Sequence, residues 1–211
     1  MITVFGGATS RSLRIVWLME EMGVPYSIRN VDMLSADEDA EFLAANPAGY
    51  IPVLRDGDVT MVESIAIMEY LMARYGPTPL APVASDPSFP PYQQFLHLGE
   101  AGLATLMMVP VVSGFLAPEA ERDNWGGRQA LLWVGNRLKL VDRQLATSPY
   151  MAGEAFTAAD ISMTYALEFG HRQGVVTLSE AQTAYLARTM ARDGYRRALD
   201  TSMAVWDARA R

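Results

Sequence analysis

Asn46-Pro47-Ala48-Gly49-Tyr50-Ile51-Pro52-Val53-Leu54, followed after Asp56-Gly57 by Val62-Glu63-Ser64, is the stretch on which the fold turns. An apolar run carrying a proline is not an ordinary central strand, because Pro52 donates no ladder hydrogen bond. A cis Ile51-Pro52 bond would give that proline a role, turning the backbone of Ile51 outward so that its N–H and C=O pair with the main chain of a peptide-like ligand. Asp56-Gly57 supplies a hairpin turn. Ser64 then stands where a helix cap belongs, and Ile65 to Tyr75 continue with helical spacing. The N-terminus of such a helix attracts a carboxylate through its free N–H groups and positive dipole end, while Glu63 takes an ammonium. Together they suit an α-amino-acid head group. The plainer alternative is a trans edge-strand proline and a serine that only caps.

Toward the N-terminus, Ile2 to Phe5 reads as a strand, Ile15, Leu18, Met19 and Met22 form a helical stripe ending at Gly23, and Tyr26 to Val31 reads as a second strand. Strand, helix, strand implies a right-handed parallel crossover. Ser35 and Glu38 have the spacing of a capping box for a short helix through Leu43. With the Pro52 strand, the hairpin partner and the Ser64 helix, the order is βαβαββα, that of a thioredoxin-like domain.

Toward the C-terminus, Gly76-Pro77-Thr78-Pro79-Leu80-Ala81-Pro82 with Pro87, Pro90 and Pro91 reads as a connection without regular structure. The expected division is a domain over residues 1–76, a linker over 77–91 and an all-helical domain over 92–211. In the latter, Leu131, Val134, Leu138, Val141 and Leu145 form a buried seam. Thr157 with Asp160 and Ser179 with Gln182 are capping boxes, which makes Asp160 structural. The uncharged stretch Ala101 to Pro118 approaches the ~20 residues of a membrane span. Gly102, Pro110, Gly114 and Pro118 argue for a buried helix that Pro110 kinks or ends. Met107, Met108, Val111 and Phe115 in that helix are candidates for an adaptable apolar pocket, with plain core packing as the alternative.

Composition narrows the chemistry. The 211 residues are 50% hydrophobic, with a net charge of -7 and no cysteine. The acidic balance argues against a nucleic-acid partner. Without cysteine there is no protein thiol nucleophile and no thiolate metal site, and His97 and His171 lie far apart, so no metal is expected. The start Met1-Ile2-Thr3-Val4 carries no secretory pattern, and a cytoplasmic protein is expected.

The segment from Asn46 to Ser64 resembles the glutathione site of the cytosolic glutathione transferases, in the pattern N-P-x-G-x-[VI]-P-x-L followed by E-S. Arg74-Tyr75-Gly76-Pro77, Phe95 to Ala101, Tyr150 to Asp160 and Tyr195 to Leu199 are similar to segments of bacterial members, so the resemblance spans nearly the whole chain. It implies an α/β thioredoxin-like domain followed by an all-α helical bundle, glutathione as co-substrate, an apolar electrophile, a homodimer and a role in detoxification. It places Tyr50, Ile51, Pro52, Glu63 and Ser64 around glutathione. It also places the thiol-activating group at the start of the first helix, where the chain offers Thr9, Ser10 and Ser12. Ser10 is favoured over Thr9, with Ser12 third; the alternative is that all three only cap the helix or satisfy backbone groups. Many relatives have lysine at Tyr50, where it pairs with glutathione's glycine carboxylate; here the candidates for that contact are the Tyr50 hydroxyl, Arg11 and Arg14. The activity implied is conjugation through a serine or threonine site; the alternatives are a non-catalytic ligand-binding member and a glutathione-dependent peroxidase or disulfide reductase.

Overall fold

Four strands build one mixed sheet: β1 (Ile2–Gly6), β2 (Tyr26–Asn30), β3 (Val53–Asp56) and β4 (Val59–Val62), in the order β2-β1-β3-β4. The computed structural model describes every residue except Ala8, Leu34, Ala210 and Arg211, and only the backbone of residues 207–209. β1 runs parallel to β2, with Val4 opposite Ile28, and antiparallel to β3, with Phe5 opposite Val53. β4 closes the hairpin across Gly57, whose φ of 58° fits the turn. Three helices complete the domain, α1 (Ser12–Met22), α2 (Ala40–Ala45) and α3 (Ser64–Tyr75), giving the βαβαββα order.

Side chains alternate across the sheet. Phe5 and Val53 join Val31, Ala36 and Phe42 in a buried cluster on one side. Val4 and Leu54 are fully buried on the other. Helix α1 ends at Gly23, whose φ of 67° caps it in the left-handed region.

Two local expectations are corrected. Ser35 caps no α-helix, because residues 36–38 form a 3-10 turn, and Asp39 caps α2 by accepting from the Phe42 N–H at 3.0 Å. The guanidinium of Arg29 holds the Asp39 carboxylate at 2.7 and 2.8 Å. Ser64 is not a cap either: it is the first residue of α3, and the cap position belongs to Glu63, at φ 70° and ψ 107°.

The chain divides into two compact units, residues 1–78 with 191–211 and residues 79–190. The division differs from the expected one at the C-terminus, where α10 (Asp193–Arg209) packs along α1 of the first unit. Arg192 grips Glu21 at 2.7 and 2.8 Å, and the Trp17 indole N–H donates to the same carboxylate at 2.9 Å. Arg197 donates to Glu20 at 2.7 Å, and Tyr195 meets Trp17 edge-on. Gly194 allows this approach, since a Cβ there would lie 2.6 Å from the Glu21 carboxylate.

The second unit holds α4 (Phe89–His97), a π-helical stretch over Leu98–Ala104, and α5 (Thr105–Leu116), α6 (Glu119–Arg122), α7 (Trp125–Leu145), α8 (Ala158–Arg172) and α9 (Glu180–Met190). Regular structure thus resumes at Phe89, inside the expected linker, because Pro90 and Pro91 fall in the first turn, where a missing N–H breaks no bond. The helix also continues through Pro110. On α7 the buried stripe runs through Gly127, Ala130, Val134 and Val141. Helix α8 is buried on nearly every side, and its Ser162 donates to the Leu96 carbonyl at 2.7 Å against Gly99.

Asp160 anchors the start of α8. Its carboxylate accepts from the Thr157 and Met151 N–H groups at 2.8 Å and from the Tyr185 hydroxyl at 2.9 Å. Burial nevertheless pushes its pKa up to about 6. Replacing Asp160 by Ala removes a cap worth ~1 kcal/mol and strands buried donors at about 1–3 kcal/mol each, so a loss of about 3 kcal/mol or more is expected in urea unfolding. A folded pKa raised from 3.8 means that this group's contribution is full below that value and falls as pH rises through about 6. The difference between wild type and Asp160→Ala is therefore larger at about pH 5 than at about pH 7.

Candidate functional site

The loop after β1 carries the first cluster. Ser10 is half-buried, Ser12 is only 3% exposed and Thr9 is exposed. The Ser10 and Ser12 hydroxyl oxygens lie 2.6 Å apart, and each reaches the Gly7 carbonyl, at 2.8 and 2.9 Å. The Gly7 N–H points at both from 3.3 Å. Gly6 has a packing reason to lack a side chain, because a Cβ there would overlap the Ser12 hydroxymethyl group. Ser12 opens α1, and its hydroxyl turns back onto the loop.

The second cluster is the turn before β3. Asn46, 4% exposed, donates its amide to the Tyr50 carbonyl at 2.7 Å and accepts from the Ala48 N–H at 3.1 Å. Gly49 takes φ 69°, which a glycine adopts freely, and the Ile51-Pro52 peptide is cis. The Ile51 side chain reaches the hydroxyl loop: a Cβ on Gly7 would lie 3.7 Å from Ile51 Cδ1 and 3.8 Å from the Trp206 ring.

The third cluster opens α3. Glu63 is in the positive-φ region that side chains rarely adopt, and the Tyr50 hydroxyl donates to its carboxylate at 3.1 Å. That hydrogen bond raises the Tyr50 pKa, because ionising the phenol would set two anions together. Below Ser64 lies Arg14, fully buried, with NH1 donating to the Ser64 hydroxyl at 3.0 Å. A Ser64 oxygen that accepts from a guanidinium keeps its own proton for a ligand. Carboxylate, helix N-terminus and buried cation together match the two charges of an α-amino-acid head group.

Ser10, Ser12, Tyr50, Ile51, Pro52, Glu63 and Ser64 are thus gathered at one end of the sheet, and Arg14 and Trp206 join them. The sequence reading offers Arg14 only as a possible charge for the glycine carboxylate and gives Trp206 no role. Arg14 had a signal, a lone cation inside the apolar run Leu13 to Met19; Trp206 had none. The apolar-pocket candidates belong to the helical unit. Met107 is 1% exposed with its sulfur against Gly170, which makes it a core residue; Met108 and Val111 are half-buried, and Phe115 is 74% exposed.

Residues 1–73 match the family model described as glutathione S-transferase, N-terminal domain. Glutathione S-transferase 3 of Schizosaccharomyces pombe is 31% identical over 180 residues, covering 78% of this chain and 72% of that one. Human glutathione S-transferase theta-2B is 30% identical over 172 residues, covering 76% and 68%. Among solved structures, a glutathione transferase from Methylococcus capsulatus superposes with a TM-score of 0.81 at 23% identity, over 97% of this chain and 100% of that one. A Phanerochaete chrysosporium glutathione transferase in complex with oxidized glutathione gives 0.83 at 19% identity, over 97% of each chain. With the fold, the three clusters and these likenesses in agreement, the chain belongs to the glutathione S-transferase family.

Proposed function

We propose that this protein conjugates the thiolate of bound glutathione to an electrophilic apolar small molecule. The observation that carries the reading is the Glu63-Ser64 pair over Arg14, which offers a partner to each charge of the γ-glutamyl end. The Ile51 backbone pairs with the cysteinyl main chain, and Tyr50, where many relatives have lysine, faces the peptide from the Glu63 side. This directs the thiol to the loop after β1.

There Ser10 donates its hydroxyl proton in a hydrogen bond to the sulfur. Each pKa unit gained for the thiol is worth ~1.4 kcal/mol of preference for the thiolate. The thiolate attacks the electrophilic carbon, the C–S bond forms, and the leaving group departs with its electron pair; the thiol's own proton has already passed to solvent. Holding both reactants side by side supplies much of the rate. Thr9, which is exposed, ranks behind Ser10. No metal takes part in the proposed step. The protein acts as a cytoplasmic homodimer in detoxification, as the family resemblance implies.

Steady-state kinetics with glutathione and an activated aryl halide separate the two clusters. Ser10→Ala is expected to lower kcat by about tenfold or more with little change in the glutathione KM. Ser64→Ala is expected to do the reverse, raising KM by about tenfold or more, the worth of a hydrogen bond to a charged group. Unchanged turnover in Ser10→Ala would remove Ser10 as the activating group. Unchanged KM in Ser64→Ala would remove the head-group assignment.

A further inference from the structure

We propose that Ser12 is a positioning residue for thiol activation: its buried hydroxyl donates to Ser10 Oγ, so that the Ser10 proton is turned outward to the bound sulfur. The inference rests on the glutathione reading above and on Ser10 as the donor.

The argument is a count of protons. Ser10 Oγ, Ser12 Oγ and the Gly7 carbonyl oxygen form a triangle with sides of 2.6, 2.8 and 2.9 Å. All three separations are hydrogen-bond lengths between oxygens. A hydroxyl supplies one proton and a carbonyl none, so two protons serve three contacts. The 2.6 Å contact between the two hydroxyls is the shortest, and without a proton between them it would be repulsive. One serine therefore donates to the other, and the second donates to Gly7.

A thiolate arriving at Ser10 decides which is which. Ser10 then spends its proton on the sulfur, and the only proton left for the 2.6 Å contact is that of Ser12. The chain of donors becomes Ser12 to Ser10 to sulfur. A hydroxyl that accepts a hydrogen bond is a stronger donor in turn, so Ser12 raises the stabilisation that Ser10 gives the thiolate. Exposure fits this division: Ser10 is half-buried, whereas Ser12 is 3% exposed, so water does not readily replace its donor. Gly6 makes room for the arrangement, and the backbone N–H groups add only longer contacts of 3.3 Å, from Gly7 to both oxygens and from Ser12 to Ser10 Oγ.

The test is the pKa of the bound thiol, read from ultraviolet thiolate absorbance against pH in the glutathione complex. The set is wild type, Ser10→Ala, Ser12→Ala and the double variant, with folding followed by circular dichroism. Ser12→Ala is expected to raise the thiol pKa by about half to one unit, and so to lower kcat below that pKa by about three- to tenfold. The loss disappears at high pH, and the glutathione KM stays within about twofold, outcomes that loosened packing would not produce together. In the Ser10→Ala background the same change is expected to add nothing, because the relay is already broken. An unchanged pKa in Ser12→Ala overturns the proposal, as does an equal shift in both backgrounds. A shift in Ser12→Ala with none in Ser10→Ala makes Ser12 itself the donor and overturns the assignment of Ser10 as well. Wild-type protein that binds no glutathione overturns the glutathione reading and this inference with it.

Discussion

The antiparallel pairing of β3 with its two neighbours is the constraint on which the site depends. Phe5 opposite Val53 places the end of β1 beside the start of β3, and Val53 opposite Val62 places the end of β4 there too. The loop after β1, the Ile51-Pro52 turn before β3 and the Glu63-Ser64 corner after β4 therefore emerge at one end of the sheet. A slip of one residue would exchange the buried faces and move Phe5 and Val53 out of the cluster with Phe42. The register that protects the core also assembles the site.

Polar groups taken out of water tie that assembly together. Arg14 is fully buried, and removing a guanidinium from water costs several kcal/mol, of order 3–5 if its partners are lost. Its bond to Ser64 links α1 to α3, as the bond of Asn46 to the Tyr50 carbonyl links the end of α2 to the turn before β3. The hydroxyl triangle of Gly7, Ser10 and Ser12 fixes the start of α1 in the same way. The candidate site groups are thus held by groups that face the interior. Such support keeps donors aimed before the ligand arrives, which electrostatic stabilisation requires. The backbone at Glu63 belongs to the same account, since a positive φ on a non-glycine residue persists only where its surroundings hold it.

What could be read from the sequence was mostly local. Gly23 and Gly57 announce themselves by residue type, and the strand and helix periods of the first half give the domain order. The cap of α2 is not decided by spacing, because Ser35 and Asp39 both precede it and Asp39, held by the guanidinium of Arg29, takes the Phe42 N–H. Ser64 reads locally as a cap because its partner Arg14 lies fifty residues earlier in the chain. The packing of α10 onto the first unit rests on Glu20 and Glu21 meeting Arg197 and Arg192, a contact across most of the chain that no periodicity reports. Met107 fills space left by Gly170, a distance equally hidden from spacing. The candidate site residues are legible by type, then, while their supports, which depend on long-range packing, are not.

The central claim is that the corner at Ser64 holds the γ-glutamyl carboxylate. Calorimetric titration of the intact protein with reduced glutathione, and with an analogue lacking only that α-carboxylate, tests it most directly. The account predicts saturable binding of glutathione at one site per chain and binding of the analogue about tenfold or more weaker, as the loss of a charge-assisted contact requires. Equal affinity for the two ligands, or no heat at glutathione concentrations on the order of millimolar, would contradict it.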